Sequence, residues 1–337
     1  MDIGTRTALR TAVAPFETPS IARAAQQIVT SIGFYIATVA AMYWSLHYSY
    51  WLTLALAIPA GGFLIRVFII QHDCGHGSFF ASTRANTIMG RICSVMTLAP
   101  YLNWSRQHAN HHSNWNNLDR RESGADMYSA CLTVEEYRAL PRRARFLYRI
   151  PRHPLVAHVL LPPLVFLLLY RVPFDTPKEW TRERRSVWGT NLSILLAVVA
   201  LGLTQGFAAV AMVQLPIIAV TTIGGVWLFS VQHRFENARW LRQGEWNFQD
   251  AAMNGTSYLK LPRILQWLTG NIGFHHIHHL SPRVPNYRLE DCHKASAVLR
   301  GEPPLTLARA FGGGNLTLWD EANKKLVRFR DAEAAVG

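Results

Sequence analysis

Fourteen of the 337 residues are histidines, and most of them fall in three clusters. The first is His72-Asp73-Cys74-Gly75-His76. The second is His108-Ala109-Asn110-His111-His112, and the third is His275-His276-Ile277-His278-His279. On a helix, positions i, i+3 and i+4 share one face. His72 and His76 therefore point one way, and so do His108, His111 and His112. His275, His278 and His279 form a third face, from which His276 falls away and reads as a hydrogen-bond partner. His233 stands alone, but like His72 it sits where an apolar run ends. Imidazole binds zinc, copper, iron and nickel, so the ligand type does not choose the metal. One zinc wants four ligands. Eight imidazoles on three faces, with His233 as a ninth, suit two metals with four or five each. The single residues His47, His153, His158 and His293 read as ordinary interface or surface positions.

The elements that must bring these clusters together are apolar. Half of the residues are hydrophobic and 16% are charged, against about 25% in a soluble domain. That content excludes disorder. The four cysteines, Cys74, Cys93, Cys131 and Cys292, form no CxxC pair, which argues against a disulfide scaffold and a thiolate zinc site. Two stretches, 24–65 and 186–233, hold no Asp, Glu, Lys or Arg over 42 and 48 residues. A membrane span needs about 20 apolar residues, so each stretch fits a helical hairpin. The expected spans are about 26–46, 51–71, 187–204 and 208–231. Tyr43, Trp44, Tyr48, Tyr50 and Trp51 flank the first turn, where an interfacial aromatic belt belongs.

The net charge of +13 lies outside both turns, in 66–185, after His233, and at Arg6, Arg10 and Arg23. By the positive-inside rule these parts are cytoplasmic. The basic balance reads as topology plus attraction to anionic lipid, not as nucleic-acid binding, since no such motif accompanies it. The late start of the first apolar run, which continues into a second span, argues against a cleavable signal peptide. Two shorter apolar stretches, 86–102 and 155–170, fall below spanning length and read as interfacial or re-entrant. The segment 133–148 opens with the capping pattern Thr133-x-x-Glu136 and carries Arg138, Arg142, Arg143 and Arg145, as a surface helix on the headgroups would. A parity argument links these readings. If the three clusters converge, no crossing separates the first two and an even number separates the second from the third. Neither short stretch then spans alone.

The boxes HDCGH, HANHH and HHIHH resemble the three histidine boxes of the integral-membrane fatty acid desaturases. The surroundings HDCGHGSFF (72–80), NLDRR (117–121), LTVEEY (132–137) and NIGFHHIHHLSPRVPNY (271–287) resemble the acyl-lipid, delta-12 or omega-6-like bacterial branch. The resemblance covers roughly residues 25–320. It implies an all-α integral membrane fold: four transmembrane helices in two hairpins with a cytoplasmic helical cap carrying the di-metal site. It divides the chain into an N-terminal tail (1–25), the desaturase domain (26–320) and a C-terminal tail (321–337). It implies two iron ions held by His72, His76, His108, His111, His112, His275, His278 and His279, with His233 matching a further ligand position.

The implied activity follows from what the substrate lacks. A mid-chain methylene has no acidic proton and no leaving group, so a metal cofactor must break its C–H bond. The family's route uses O2 as co-substrate and leaves a cis double bond and water. Asp73, Asp119, Asp126, Glu236, Asp291 and His276 are candidates for holding the ligands' second ring nitrogens. Arg66 reads as snorkelling to the headgroups, or else as a support behind the ligands. The chain shows no haem segment, ferredoxin cysteine pattern or dinucleotide motif, so the reductant is expected to be external. Arg142, Arg143, Arg145, Arg182, Arg184 and Arg185 read either as a docking zone for a ferredoxin or cytochrome b5-like donor with its reductase, or as contacts to lipid alone. The acyl chains of membrane lipid are the expected substrate, and a bacterial inner membrane the expected location. Related di-iron membrane hydroxylases and carotenoid ketolases share the ligand set. A metal transporter would want more ionisable groups within its spans than Asn191, Thr204 and Gln205 provide.

Overall fold

The computed structural model describes residues 1–121, 131–300, 303–313 and 315–334. The chain opens with α1 (Ile3–Val13). Then α2 (Ile21–Ile28) and α3 (Phe34–Ser45) join through a π turn into one apolar rod, Ile21–Ser45. A short turn leads to α4 (Tyr50–His76), which packs against α3. It stops directly after the first box because Gly77 adopts φ 70° and turns its amide back to the carbonyls of Asp73 and Cys74.

Next comes α5 (Thr83–Thr97), capped by Ser82, whose hydroxyl accepts from the Ala85 amide. Fifteen residues rise about 22 Å, too little to cross a bilayer core of about 30 Å. It lies along α4. The second box follows in α6 (Tyr101–Asn114).

A short strand, β1 (Leu132–Thr133), precedes α7 (Val134–Ala139) and α8 (Arg142–Arg149). The capping box at Thr133 and Glu136 is present. The expected single basic helix is instead two, because Pro141 has no amide to continue the first. Its first half does not rest on headgroups: Tyr137 is fully buried, packed in a cluster with Leu318 and Val327. α8 presents an apolar surface face, with Phe146 and Leu147 exposed.

The stretch 155–170 holds a π turn and α9 (Leu161–Leu167), bent 50° from the helix before it. The second long pair is α10 (Thr181–Gln205) and α11 (Phe207–His233), joined at Gly206, whose φ of 89° suits glycine. Among the described residues four helical rods are long and apolar enough to cross a membrane: Ile21–Ser45, Tyr50–His76, Thr181–Gln205 and Phe207–His233. They overlap the four expected segments, and most run several residues beyond them. Trp51, Leu196 and Leu203 lie largely exposed on them, as lipid-facing side chains do.

The rest builds the cap. After α12 (Phe248–Gly255), β2 (Leu259–Lys260) pairs in parallel with a later strand, β3 (Leu305–Thr306). Between these strands run α13 (Arg263–Leu268), α14 (His275–Leu280) and α15 (Asn286–Ala295). Beyond β3 come α16 (Leu307–Gly313), β4 (Leu318–Asp320), β5 (Lys325–Val327) and α17 (Phe329–Ala334). β4 pairs with both β1 and β5.

Neither flanking segment is a free tail. Leu9 and Val13 of α1 are buried in the cap core with Ile277, Leu289 and Leu299. At the other end, the Ala332 carbonyl accepts from Arg138 and the Glu333 carboxylate pairs with Arg149. Arginines that composition alone would assign to lipid are thus spent on tying down the C-terminal segment.

Candidate metal centre

Each box rides on a helix. His72 and His76 close α4 at the Gly77 stop. His108, His111 and His112 lie in α6, and His275, His278 and His279 in α14. His233 is the last residue of α11. All nine converge. Eight are buried and His76 is half-buried.

They sort into two groups. His72, His76, His108, His112 and His278 form one, and His111, His233 and His279 the other, with the ligand atoms of each group within 4.8 Å of one another. His275 joins the second, its Nε2 3.2 Å from Nε2 of His233. The second box is thus divided: His111 faces away from His108 and His112, toward His233 Nε2 at 3.0 Å.

The nitrogen chemistry fits metal ions. His233 Nδ1 donates to the Phe229 carbonyl at 2.7 Å, so its Nε2 carries the lone pair. That one lone pair faces Nε2 of His111, His275 and His279 at 3.0–3.2 Å. A single acceptor cannot serve three rings, but a cation among them can. Likewise His112 Nε2 faces Nε2 of His108 at 3.2 Å and of His278 at 3.0 Å. Among the described residues His76 Nε2 is buried without a hydrogen-bond partner. Metal–nitrogen bonds of about 2.0–2.1 Å put adjacent ligand nitrogens about 3 Å apart, as here. Burial, reinforced by the neighbouring imidazoles, holds His108, His112, His275, His278 and His279 well below the usual histidine range. They are therefore neutral near pH 7, the form that binds metal.

Of the carboxylates expected as supports, one lies against a box histidine. His72 Nδ1 donates to Asp73 Oδ1 at 3.0 Å. The other oxygen of Asp73 accepts from the Asn286 amide and side chain at 2.6 and 2.7 Å, which links the first box to α15. Three others bond elsewhere at the surface. Asp119 accepts from Arg242 and the Gln243 amide. Glu236 is mostly exposed and pairs with Arg309 at 3.5 Å, and Asp291 pairs with Arg23 at 2.7 Å. Asp126 lies outside the described residues. His276 does act as a hydrogen-bonding residue, donating from Nε2 to the Leu299 carbonyl, and burial lowers its pKa to about 4. Arg66 does not snorkel: it is buried, donates to the Trp267 carbonyl and lies 4.1 Å over that ring.

Sequence reasoning missed several supports. Trp104 stacks on His108 at 4.6 Å, and Trp115 lies 4.3 Å from His233 and 5.2 Å from His111. Trp104 precedes His108 by one helical turn, and Trp115 follows His111 by the same count, so their spacing carried the signal. Asn286 sits just beyond the third box. The Phe229 carbonyl had no signal, because every residue has one.

Against these histidines lies an apolar cavity of about 550 Å³. Phe68, Trp104, Phe166, Val226 and Phe229 form its wall, together with His72, His108, His111 and His275 from both groups.

Helical spans, an imidazole cage and an apolar cavity define a class: an integral membrane protein with a histidine-rich metal site that handles an apolar substrate. The model of the fatty acid desaturase family matches residues 49–306, and the chain belongs to that family. It is 46% identical over 288 residues to the fatty acid desaturase of Bacillus subtilis, covering 86% of this chain and 80% of that protein. It is 29% identical over 283 residues to the sn-1 oleoyl-lipid 12-desaturase of Synechocystis sp., covering 77% and 72%. An acyl-lipid omega-3 desaturase (cytochrome b5) of Arabidopsis thaliana is 28% identical over 296 residues, covering 84% and 72%. The protein is thus a fatty acid desaturase, an oxidoreductase.

Proposed function

We propose that this desaturase introduces a cis double bond into the acyl chain of a membrane lipid, with O2 as oxidant and two iron ions held by the nine histidines. The position is of the delta-12 or omega-6 type, a reading the similarity to an oleoyl-lipid 12-desaturase supports. One observation carries the proposal: an apolar cavity walled by histidines of both groups. An acyl methylene placed there lies beside the metal site and away from water.

When bound, the irons supply the oxidising power that side chains lack: two hydrogens leave the chain and O2, with two electrons and two protons from outside, becomes two waters. The protein's own residues do the positioning. His72 and His233, each donating from Nδ1, hold Nε2 toward the site. Phe68, Phe166 and Phe229 hold the chain by shape and exclude water from it. Thr221 and Thr222 also line the cavity, but their hydroxyls turn back to the Ile217 and Ile218 carbonyls at 2.7 Å, which leaves that wall apolar.

The electrons come from a separate ferredoxin or cytochrome b5-like carrier with its reductase. The concentration of Lys and Arg on the cap side supports a cytoplasmic location for the boxes, in a bacterial inner membrane.

Expression in a host with simple saturated and monounsaturated lipids tests this reading. The expected product lacks two hydrogens and carries a new double bond in the extracted lipid chains, and the purified protein holds about two irons. Gain of an oxygen atom would replace desaturation with hydroxylation or ketolation. Labile zinc or nickel without oxidised product would overturn the enzyme reading.

A further inference from the structure

Two glycines on neighbouring helices mark where the acyl cavity ends and where it stays open. α4 and α11 pack together, and both finish at the metal site, at His76 and His233. At Gly61 they touch: a Cβ there would meet the Val220 side chain at 2.5 Å, and the Thr221 hydroxyl lies 3.4 Å from the Gly61 carbonyl. One turn nearer the metal site the cavity is open, walled by Ile65 of α4 and by Thr221, Gly225 and Phe229 of α11. Gly225 leaves a gap in that wall, because a Cβ on it would meet no neighbouring side chain and no other helix within 4 Å. Thr221, Gly225, Phe229 and His233 are spaced by four and share one face of α11. Gly225 precedes His233 by about 12 Å along the helix axis, and Ile65 precedes His72 by about 10 Å.

The cavity is polar at one end only. Asn103 and Gln107 line it from the turns of α6 that lead to His108, and the Gln107 side chain donates to Asp175, a further lining residue, at 3.1 Å. The end at Gly225 offers Ile65, Val226 and two threonines whose hydroxyls are already bonded within α11. An ester carbonyl placed at that end would be buried without a donor, which is costly, so an acyl chain lies with its methyl end there. We infer that Gly225 sets the length of acyl chain the enzyme accepts. The chain passes the metal site and runs down α11 into the space a side chain at 225 would fill, and the contact of Gly61 with Val220 closes the cavity below it. The assignment rests on the acyl-lipid reading above for what occupies the cavity. A side chain at 225 has packed helix behind it and open cavity before it, so it and the end of a long chain compete for one space.

The test uses the full-length protein in a host whose membrane lipids carry tetradecanoyl, hexadecanoyl and octadecanoyl chains together. Products of each length are read from one lipid extract by mass spectrometry, for wild type and for Gly225→Ala, Gly225→Val and Gly225→Leu. The ratio of long-chain to short-chain product should fall stepwise with side-chain size, by about fivefold or more in Gly225→Leu, as overpacking demands. Bound metal should stay at the wild-type level, since no ligand is touched. Loss of folded protein lowers all products alike and does not move the ratio. Gly189→Leu is the control: Gly189 lies on an exposed face of α10, where a Cβ also has open space, and the ratio there should not change. An unchanged ratio in Gly225→Val and Gly225→Leu overturns the assignment, as does an equal shift in Gly189→Leu. If Gly225→Leu does not accumulate, Gly225→Ala and Gly225→Val decide. The two readings fail separately. Unsaturated products with an unchanged ratio keep desaturation and sink the role of Gly225, whereas oxygenated products with a shifted ratio sink desaturation and keep it.

Discussion

The membrane half and the cap are held together by different means. In the membrane half, hydroxyl groups such as Thr204 and Thr222 bond back within their own helices. Helices approach through small residues: a Cβ at Gly61 of α4 would meet the Val220 side chain of α11 at 2.5 Å. In the cap, polar groups reach across the sequence. Asn286 holds Asp73, the Gln232 side chain donates to the Ile272 carbonyl at 2.7 Å, and the Trp115 indole donates to the Gly255 carbonyl at 2.9 Å. Lipid asks of a span only that it be apolar and internally bonded. The cap must fix nine imidazoles, and each long-range bond removes one freedom from them.

That contrast breaks most sharply at the histidines themselves. His72→Ala, His111→Ala or His278→Ala should abolish the new double bond and lower bound metal, with the protein still in the membrane fraction. Product analysis and metal content of membranes check this; retained unsaturation in any variant removes that residue from the ligand set. His233→Ala probes the second group separately, and wild-type metal and turnover there would make it merely structural.

A smaller effect sharpens the role of the cap's long-range bonds. Asp73→Ala leaves every imidazole in place but frees the His72 ring and unties Asn286. Metal affinity or activity should fall about 10–100-fold, the usual range for losing a ligand's supporting carboxylate. Titration with the metal alone reads it without turnover. An unchanged affinity would mean that the helices position His72 without help.

The smallest expected effect belongs to the membrane half. Gly61→Ala forces α4 and α11 apart and should cost about 1–3 kcal/mol of stability as overpacking does. Its melting temperature should fall, while metal content below the transition stays at wild type. Loss of metal there would mean that the spans and the cage are one mechanical unit.

Much of this molecule is legible along the chain. Charge-free runs locate four spans because a bilayer selects on composition over about 20 residues. Box spacing predicts shared helix faces because the helix repeat is local. The capping box at Thr133 and Glu136 is local too, and it is present. The long-range partners were not legible. Asp119, Glu236 and Asp291 looked as suitable as Asp73, and only folding shows that arginines at the surface take them.

The sequence by itself determined that nine histidines lie at helix positions able to converge, and that apolar runs end at the first box and at His233. Tertiary structure alone decided that His111 leaves its own box to face His233 and His279, and that α1 and α17 pack onto the cap. The reason is one of range. Periodicity speaks for neighbours three or four residues apart, whereas a metal group is assembled by distances between segments that the sequence keeps far from one another.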